Sequence, residues 1–300
     1  MSLKMREILA EAEQRLFQAG IEEAGNDAWL LFEAVFETDR AHYFLTMNEQ
    51  ISDIKNGEGL YEKYETVISM RCQHIPLQYI TGHQVFMGID FLVNESVLIP
   101  RQDTEILAEQ TLKACKDFSM GKKHTEALHI LDMCTGSGCI AVSLKKLSKI
   151  PLYVTAVDLS EKALVTAKEN AVRNHCEIEF IQGDLFENLN GRKFDIIVSN
   201  PPYIKSADIS RLMEEVRDYE PLMALDGAED GLSFYRKITE NAGDFLNSGG
   251  CILYEIGCRQ AEDVAEILKE RGFVNIQIFK DLAGLNRVAA AQYCKEKQAE

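Results

Sequence analysis

Hydrophobic positions change period along this chain, and the changes mark out its parts. From residue 3 to about 73 apolar side chains recur every three or four positions. Ile8, Leu9, Ala12 and Leu16 form one such stripe, and Gly20 comes after it as a stop. Asn26-Asp27 precedes a second stripe over Ala28–Phe36. A third helix is expected from about Arg40 to Met47. Ile51 to Gly59 is polar and turn-rich, and a fourth helix spans about Leu60 to Cys72. The pattern predicts a small all-α module of four or five elements, with Trp29 and Phe32 in its core.

Between Ile75 and Leu98 the period shortens. Gln84–Met87 and Asp90–Val93 alternate around Gly88-Ile89, which predicts a hairpin joining the helical module to the rest of the chain. Pro100 ends the extended run Val97–Ile99, and Asp103 or Thr104 can cap a helix reaching about Lys116. Lys116 to Glu126 reads as a polar surface loop. From Leu128 strands and helices alternate. The expected strands are Leu128–Met133, Leu152–Val157, Ile178–Gln182, Phe194–Ser199 and Cys251–Ile256. The helices between and after them are Cys139–Lys149, Glu161–Asn174, Phe234–Phe245 and Ala261–Arg271. Residues 206–230 form an acidic, irregular insertion, and Phe273–Lys280 with Arg287–Tyr293 close the chain as an antiparallel pair. The expected architecture is α/β: a mostly parallel seven-stranded sheet with a reversed last strand, preceded by a small all-α domain. Residues 1–74 would be the helical domain, 75–96 a hairpin linker and 97–300 the sheet domain.

Composition narrows the class. At 46% hydrophobic residues the 300-residue chain can bury a sizeable core. No apolar run is long enough to span a membrane, and the amino-terminal residues lack a signal-peptide core, so a cytoplasmic protein is expected. Eight cysteines form no CxxC pair, and the six histidines do not repeat at metal-ligand spacing; reduced thiols and no structural metal are expected. A net charge of −16 argues against a protein that wraps nucleic acid, which needs a basic face.

Two turns carry the chemistry. The first strand of the sheet domain runs into Asp132-Met133-Cys134-Thr135-Gly136-Ser137-Gly138, where glycine lets backbone approach a ligand closely. Asp158 ends the next strand, 20 residues past Gly138, where a carboxylate can accept both ribose hydroxyls. That spacing alone would equally admit a nicotinamide dinucleotide. Ala141 in place of a third glycine, the reversed strand pair and the amine-suited turn at residues 200–203 argue against one. Asp184 and Leu185, with Phe186, come after the third strand and could receive and flank an adenine. Asp132 would orient the turn and the cationic end of the cofactor.

The second turn is Asn200-Pro201-Pro202-Tyr203. Prolines cannot continue a central strand, so the chain must turn at its carboxyl end, where open α/β sheets place their ligands. A side-chain carbonyl, stiffly held backbone carbonyls and a flat ring suit a planar –NH₂ group on a conjugated carbon. The tetrapeptide resembles the substrate-amine motif of S-adenosylmethionine-dependent amino-methyltransferases.

With Pro76-Leu77-Gln78-Tyr79-Ile80-Thr81-Gly82, Val97 through Glu105, Asp132 to Gly138 and Asn200 to Ile204 taken together, the chain resembles the bacterial peptide-chain release factor glutamine methyltransferases, the HemK/PrmC family, essentially end to end. The resemblance implies a class I S-adenosylmethionine methyltransferase, Rossmann-like, that methylates the side-chain amide nitrogen of the glutamine in the Gly-Gly-Gln loop of class 1 release factors. It implies cofactor contacts from Asp132–Gly136, Asp158 and Leu185, and a glutamine held by Asn200 to Tyr203. A monomer is expected, with no direct nucleic-acid partner. Cys134 stands where many methyltransferases have glycine, which calls for a negative φ there. Gln102 replaces the proline usual after Arg101. The rival readings are an adenine-N6 or other nucleic-acid amino-methyltransferase, and a non-catalytic cofactor-binding scaffold.

Overall fold

The computed structural model describes residues 3–121 and 127–294, and it divides into two compact units, residues 1–82 with 213–219 and residues 83–212 with 220–300. In the first unit α1 (Met5–Gln18), α2 (Ala24–Phe36), α3 (Arg40–Thr46), α4 (Gly57–Cys72) and α5 (Leu77–Thr81) surround one apolar cluster. Trp29 and Phe32 are buried in it as the periodicity predicted, and Phe32 stacks on Phe36 with ring centroids 4.4 Å apart. Gly20, at φ +84°, ends α1 in the left-handed conformation that glycine adopts without strain. Beneath the apolar layer lies a buried ion pair: Arg71 Nε donates to Asp27 Oδ2 at 2.7 Å, and its Nη1 lies 2.8 Å from Glu215. Through that contact residues 213–219 join this unit although they come more than a hundred positions after it. The extended segment expected from Ile75 instead opens with α5, whose Leu77 and Ile80 pack on the helical core, and the unit runs to Gly82 rather than residue 74.

The second unit opens with the hairpin β1 (His83–Phe86) and β2 (Ile89–Leu92). Met87 and Gly88 both have positive φ, the requirement of a two-residue type I′ connection. The hairpin belongs to this unit: Phe86, Ile89 and Phe91 enter its main apolar cluster. It is tied there by the buried Asn170, which accepts from Leu92 N at 2.7 Å and donates to Leu92 O at 2.9 Å. Next come α6 (Glu105–Gly121), β3 (Leu128–Met133), α7 (Cys139–Leu147), β4 (Leu152–Asp158), α8 (Glu161–Arg173), β5 (Glu179–Gln182) and β6 (Phe194–Ser199). Helix α6 runs through Lys116 to Gly121, part of the stretch read as a loop; residues 122–126 lie outside the described residues. The insertion at 206–230 contains α9 (Glu214–Tyr219), which falls in the first unit, and α10 (Leu222–Leu225). The chain ends with α11 (Ser233–Phe245), β7 (Leu246–Glu255), α12 (Ala261–Glu270), β8 (Phe273–Lys280) and β9 (Asn286–Tyr293).

The sheet order is β5-β4-β3-β6-β7-β9-β8. Strands β3 to β7 run parallel and β9 runs antiparallel to both its neighbours, as expected for a reversed last strand. Strand β7 begins at Leu246 rather than Cys251, because a register shift opposite Phe194/Ile196 absorbs its polar start. Every residue of β6 is buried, the polar Asp195 and Ser199 included, which accounts for its largely apolar sequence. The order reverses between β3 and β6, so a crevice opens past their carboxyl ends.

Candidate active site

That crevice is a cavity of about 570 Å³. The ends of four parallel strands converge on it: Met133–Ser137 after β3, Asp158 on β4, Gly183–Leu185 after β5, and Asn200 with Pro202 after β6. Its remaining walls are largely apolar and include Leu98, Ile140, Leu222, Met223 and Phe234. Arg101, from the segment before α6, adds a cation. Its guanidinium pairs with the buried Glu220 carboxylate, which also accepts from Ile99 N at 3.4 Å and so ties the 97–101 segment to the start of α10.

The turn after β3 is held by two carboxylates with different duties. Asp158 Oδ2 accepts from Gly136 N at 2.8 Å and its Oδ1 from Ser160 N at 2.8 Å, which locks two loops around one acid at the cavity wall. Burial raises its pKa, and these amide hydrogen bonds oppose the rise. Asp132 lies behind the wall rather than on it. It is fully buried, its Oδ2 accepting from the Thr135 hydroxyl at 2.6 Å and from Ala141 N at 3.1 Å, while Oδ1 has no partner. Burial pushes its carboxyl up to about 7. Asp132 therefore shapes the turn from beneath and is not among the residues that line the cavity.

Three expectations, two at this turn and one at the entry to α6, need correction. Gly138 does not face the cavity: at φ +78° it starts α7, and a Cβ there would stand 3.1 Å from Ala167 Cβ, so this glycine lets α7 approach α8. Cys134 does not take a negative φ; it sits at +61°, the left-handed conformation of the glycine it replaces. A small unbranched side chain tolerates that conformation at a cost of about 1–2 kcal/mol. Asp103 and Thr104 do not cap the helix after them. The chain enters it through a 3₁₀ turn, Gln102–Thr104, and Asp103 instead meets Arg287 Nη2 at 3.0 Å. Gly136, by contrast, lines the cavity at φ +55°, and the space a Cβ would occupy is open.

At the second turn the structure divides the four residues. Asn200 and Pro202 line the cavity, whereas Pro201 and Tyr203 are not among its lining residues. Asn200 Nδ2 donates to Thr104 Oγ1 at 3.3 Å. Tyr203 donates its hydroxyl to Glu255 Oε1 at 3.2 Å, and burial beside that carboxylate raises its pKa. Its carbonyl accepts from Gln260 Nε2 at 3.1 Å, and the same amide group donates to Gly231 O at 3.1 Å. Gly227 and Gly231 press against the turn, where a Cβ on either would come within 2.8 Å of Tyr203 backbone. Of these buttresses, Glu255, Gln260 and the two glycines escaped the sequence reading, and Thr104 entered it only as a helix-cap candidate within the Val97–Glu105 stretch. The one signal was positional: Glu255 ends a strand, as the site residues do.

The cavity suits a nucleoside with a charged tail. It offers backbone reachable at Gly136, acids at Asp158 and Asp184, and apolar faces at Leu185 and Val157. Residues 7–82 match the model of the PrmC N-terminal domain, and residues 118–217 match the methyltransferase small domain. A release factor glutamine methyltransferase of Clostridium acetobutylicum is 40% identical over 293 residues, 96% of this chain and 98% of that protein. The chain belongs to the release factor glutamine methyltransferase family. Other relatives bearing that name come from Geobacter sulfurreducens, 38% identical over 96% of both chains, and Thermodesulfovibrio yellowstonii, 44% identical over 80% of this chain and 86% of that one. As a member of this family the chain is an S-adenosylmethionine-dependent methyltransferase with a Rossmann-like catalytic domain. Among the described residues no helix is long and apolar enough to cross a membrane.

Proposed function

We propose that the enzyme methylates the side-chain amide nitrogen of the glutamine in the Gly-Gly-Gln motif of class 1 peptide chain release factors, as a cytoplasmic monomer. The observation that carries this reading is the orientation of Asn200. With Nδ2 engaged by Thr104, its carboxamide presents Oδ1 as the acceptor for a substrate N–H at the cavity.

S-adenosylmethionine supplies an electrophilic methyl group on a sulfonium sulfur. Asp158, Asp184, Leu185 and the Met133–Gly136 turn are the residues that would hold it. An amide nitrogen is a weak nucleophile because its lone pair is shared with the carbonyl. Asn200 Oδ1, with backbone carbonyls of the proline turn, would grip the N–H groups and draw the nitrogen out of that conjugation. The prolines make the grip stiff, so positioning provides much of the acceleration. The net charge of −16 supports a protein substrate over a polyanionic one.

The test is Asn200→Ala, assayed by tritiated-methyl transfer into purified release factor alongside calorimetry with S-adenosylhomocysteine. Turnover should fall by roughly 10²–10³-fold while cofactor affinity stays within about twofold. A variant whose only defect is lost cofactor affinity would refute the assigned role, and preferential methyl incorporation into DNA would refute the substrate.

A further inference from the structure

The Asn-Pro-Pro-Tyr turn cannot brace itself. Pro201 and Pro202 lock φ but carry no N–H, and their ψ angles, which aim the backbone carbonyls, stay free. A side chain outside the cavity lining holds the exit of the turn instead. Gln260, just before α12, is 9% exposed, and both the nitrogen and the oxygen of its amide are engaged. Nε2 donates to Tyr203 O and to Gly231 O at 3.1 Å each, and Oε1 accepts from Gly257 N at 2.9 Å. Two glycines leave room for this amide. A Cβ on Gly231 would stand 2.8 Å from Nε2, and one on Gly257 would stand 2.7 Å from Oε1. Gly257 lies just past the end of β7, the neighbour of β6 in the sheet, so the amide ties the turn to a second interior strand.

We infer that Gln260 is a positioning residue, which pins the exit of the turn so that its carbonyls meet the substrate nitrogen in one geometry. The inference rests on the amine-binding role proposed for Asn200 and the proline turn. The entry of the turn is fixed at the end of β6, where the Ser199 hydroxyl donates to Met133 O at 2.7 Å. With the Tyr203 carbonyl held as well and two φ angles locked, few torsions remain through which Asn200 and the carbonyls beside it could drift. Loss of the Gln260 donors frees the Tyr203 carbonyl to rotate. It also removes the one group that holds Gly231, at the end of the insertion, and the turn together. The geometry selects glutamine over glutamate. Two carbonyl oxygens converge on Nε2, and only an NH₂ group can serve both. An ionised carboxylate there would face two acceptors with no proton to give.

Gln260→Glu should lower kcat for release-factor methylation by roughly 10- to 100-fold at about pH 8, with KM and the calorimetric Kd for S-adenosylhomocysteine within about twofold of the parent values. Acidification should restore part of the loss. A protonated glutamate has one proton to donate to a carbonyl, so the variant-to-parent kcat ratio should rise about threefold or more towards about pH 6. Gln260→Met, similar in size and uncharged, should lose about tenfold in kcat at every pH, and it carries the test where the glutamate protein does not fold. A merely structural role predicts a lower melting temperature with parental kcat below the transition. That outcome overturns the inference, as does a Gln260→Glu deficit that does not shrink on acidification, or a cofactor affinity that drops by the same factor as kcat. An Asn200→Ala enzyme that still turns over would instead overturn the amine-site reading itself. An inactive Asn200→Ala beside fully active Gln260 variants would remove only Gln260 from the account.

Discussion

Replacing Asp132 by asparagine should flatten the dependence of the protein's stability on pH. The carboxyl is fully buried, and burial, helped by the nearby charge of Asp158, lifts it to about 7 against the hydrogen bonds from Thr135 and Ala141. An unfolded chain releases the same proton near 3.8. The folded state therefore binds the proton more tightly. The stability this confers is complete below about pH 4 and is lost as pH rises to about 7. At 2.303RT per pH unit the loss is about 1.4 kcal/mol for each unit, on the order of 4 kcal/mol in all. The Asp132→Asn protein has no such proton to lose. Its Oδ1 can take over the bonds from Thr135 and Ala141, while its NH₂ occupies the place of an oxygen without a partner. That last exchange shifts stability by a constant of about 1–3 kcal/mol at every pH, so the slope is the test. Urea unfolding of both proteins between pH 5 and 8 should show the variant gaining about 2–3 kcal/mol on the parent from pH 5 to 7, then levelling off. Circular dichroism is the suitable probe, because the single tryptophan, Trp29, belongs to the helical unit. A difference that stays constant over this range, or that shrinks with rising pH, would refute the reasoning.

Packing gives two further expectations. Gly138→Ala meets both a left-handed backbone and the Ala167 methyl at 3.1 Å, whereas Gly136→Ala meets only the backbone strain, at φ +55° in open space. The first should cost about 2–3 kcal/mol and the second about 1 kcal/mol, read as melting temperatures; equal losses would show that α7 and α8 are not in close approach. Arg71→Ala strands Asp27 and Glu215 and should destabilise the helical unit by about 3–5 kcal/mol, seen as an early transition in Trp29 fluorescence. An unchanged fluorescence midpoint would mean the ion pair is dispensable.

How much of this was legible in the chain depends on the range of each interaction. Strands β3 and β6 appeared at their predicted residues because a buried parallel strand writes itself as an apolar run bounded by turn residues, a purely local signal. That Asp158, Leu185 and Asn200 line the crevice was legible for the same reason: the crevice lies at strand ends, and the strand ends could be found. Other features could not be read this way. Gly138 looked like part of the ligand-binding turn, and only its neighbour Ala167 on another helix shows that it serves packing. Cys134 took a backbone conformation set by the loop around it and not by its own preference.

The order of the elements, the class of the sheet and the turns that carry the chemistry are encoded in neighbours a few positions apart, and so can be read from the chain. Which residues stand behind those turns is settled by the folded arrangement. Asn200 meets Thr104 across 96 residues and Tyr203 meets Glu255 across 52, and hydrophobic period carries no record of a hydrogen bond between side chains so far apart along the chain. Their encounter depends on β6 and β7 lying side by side with the entry to α6 folded over their ends, an arrangement that exists only once the whole sheet has formed.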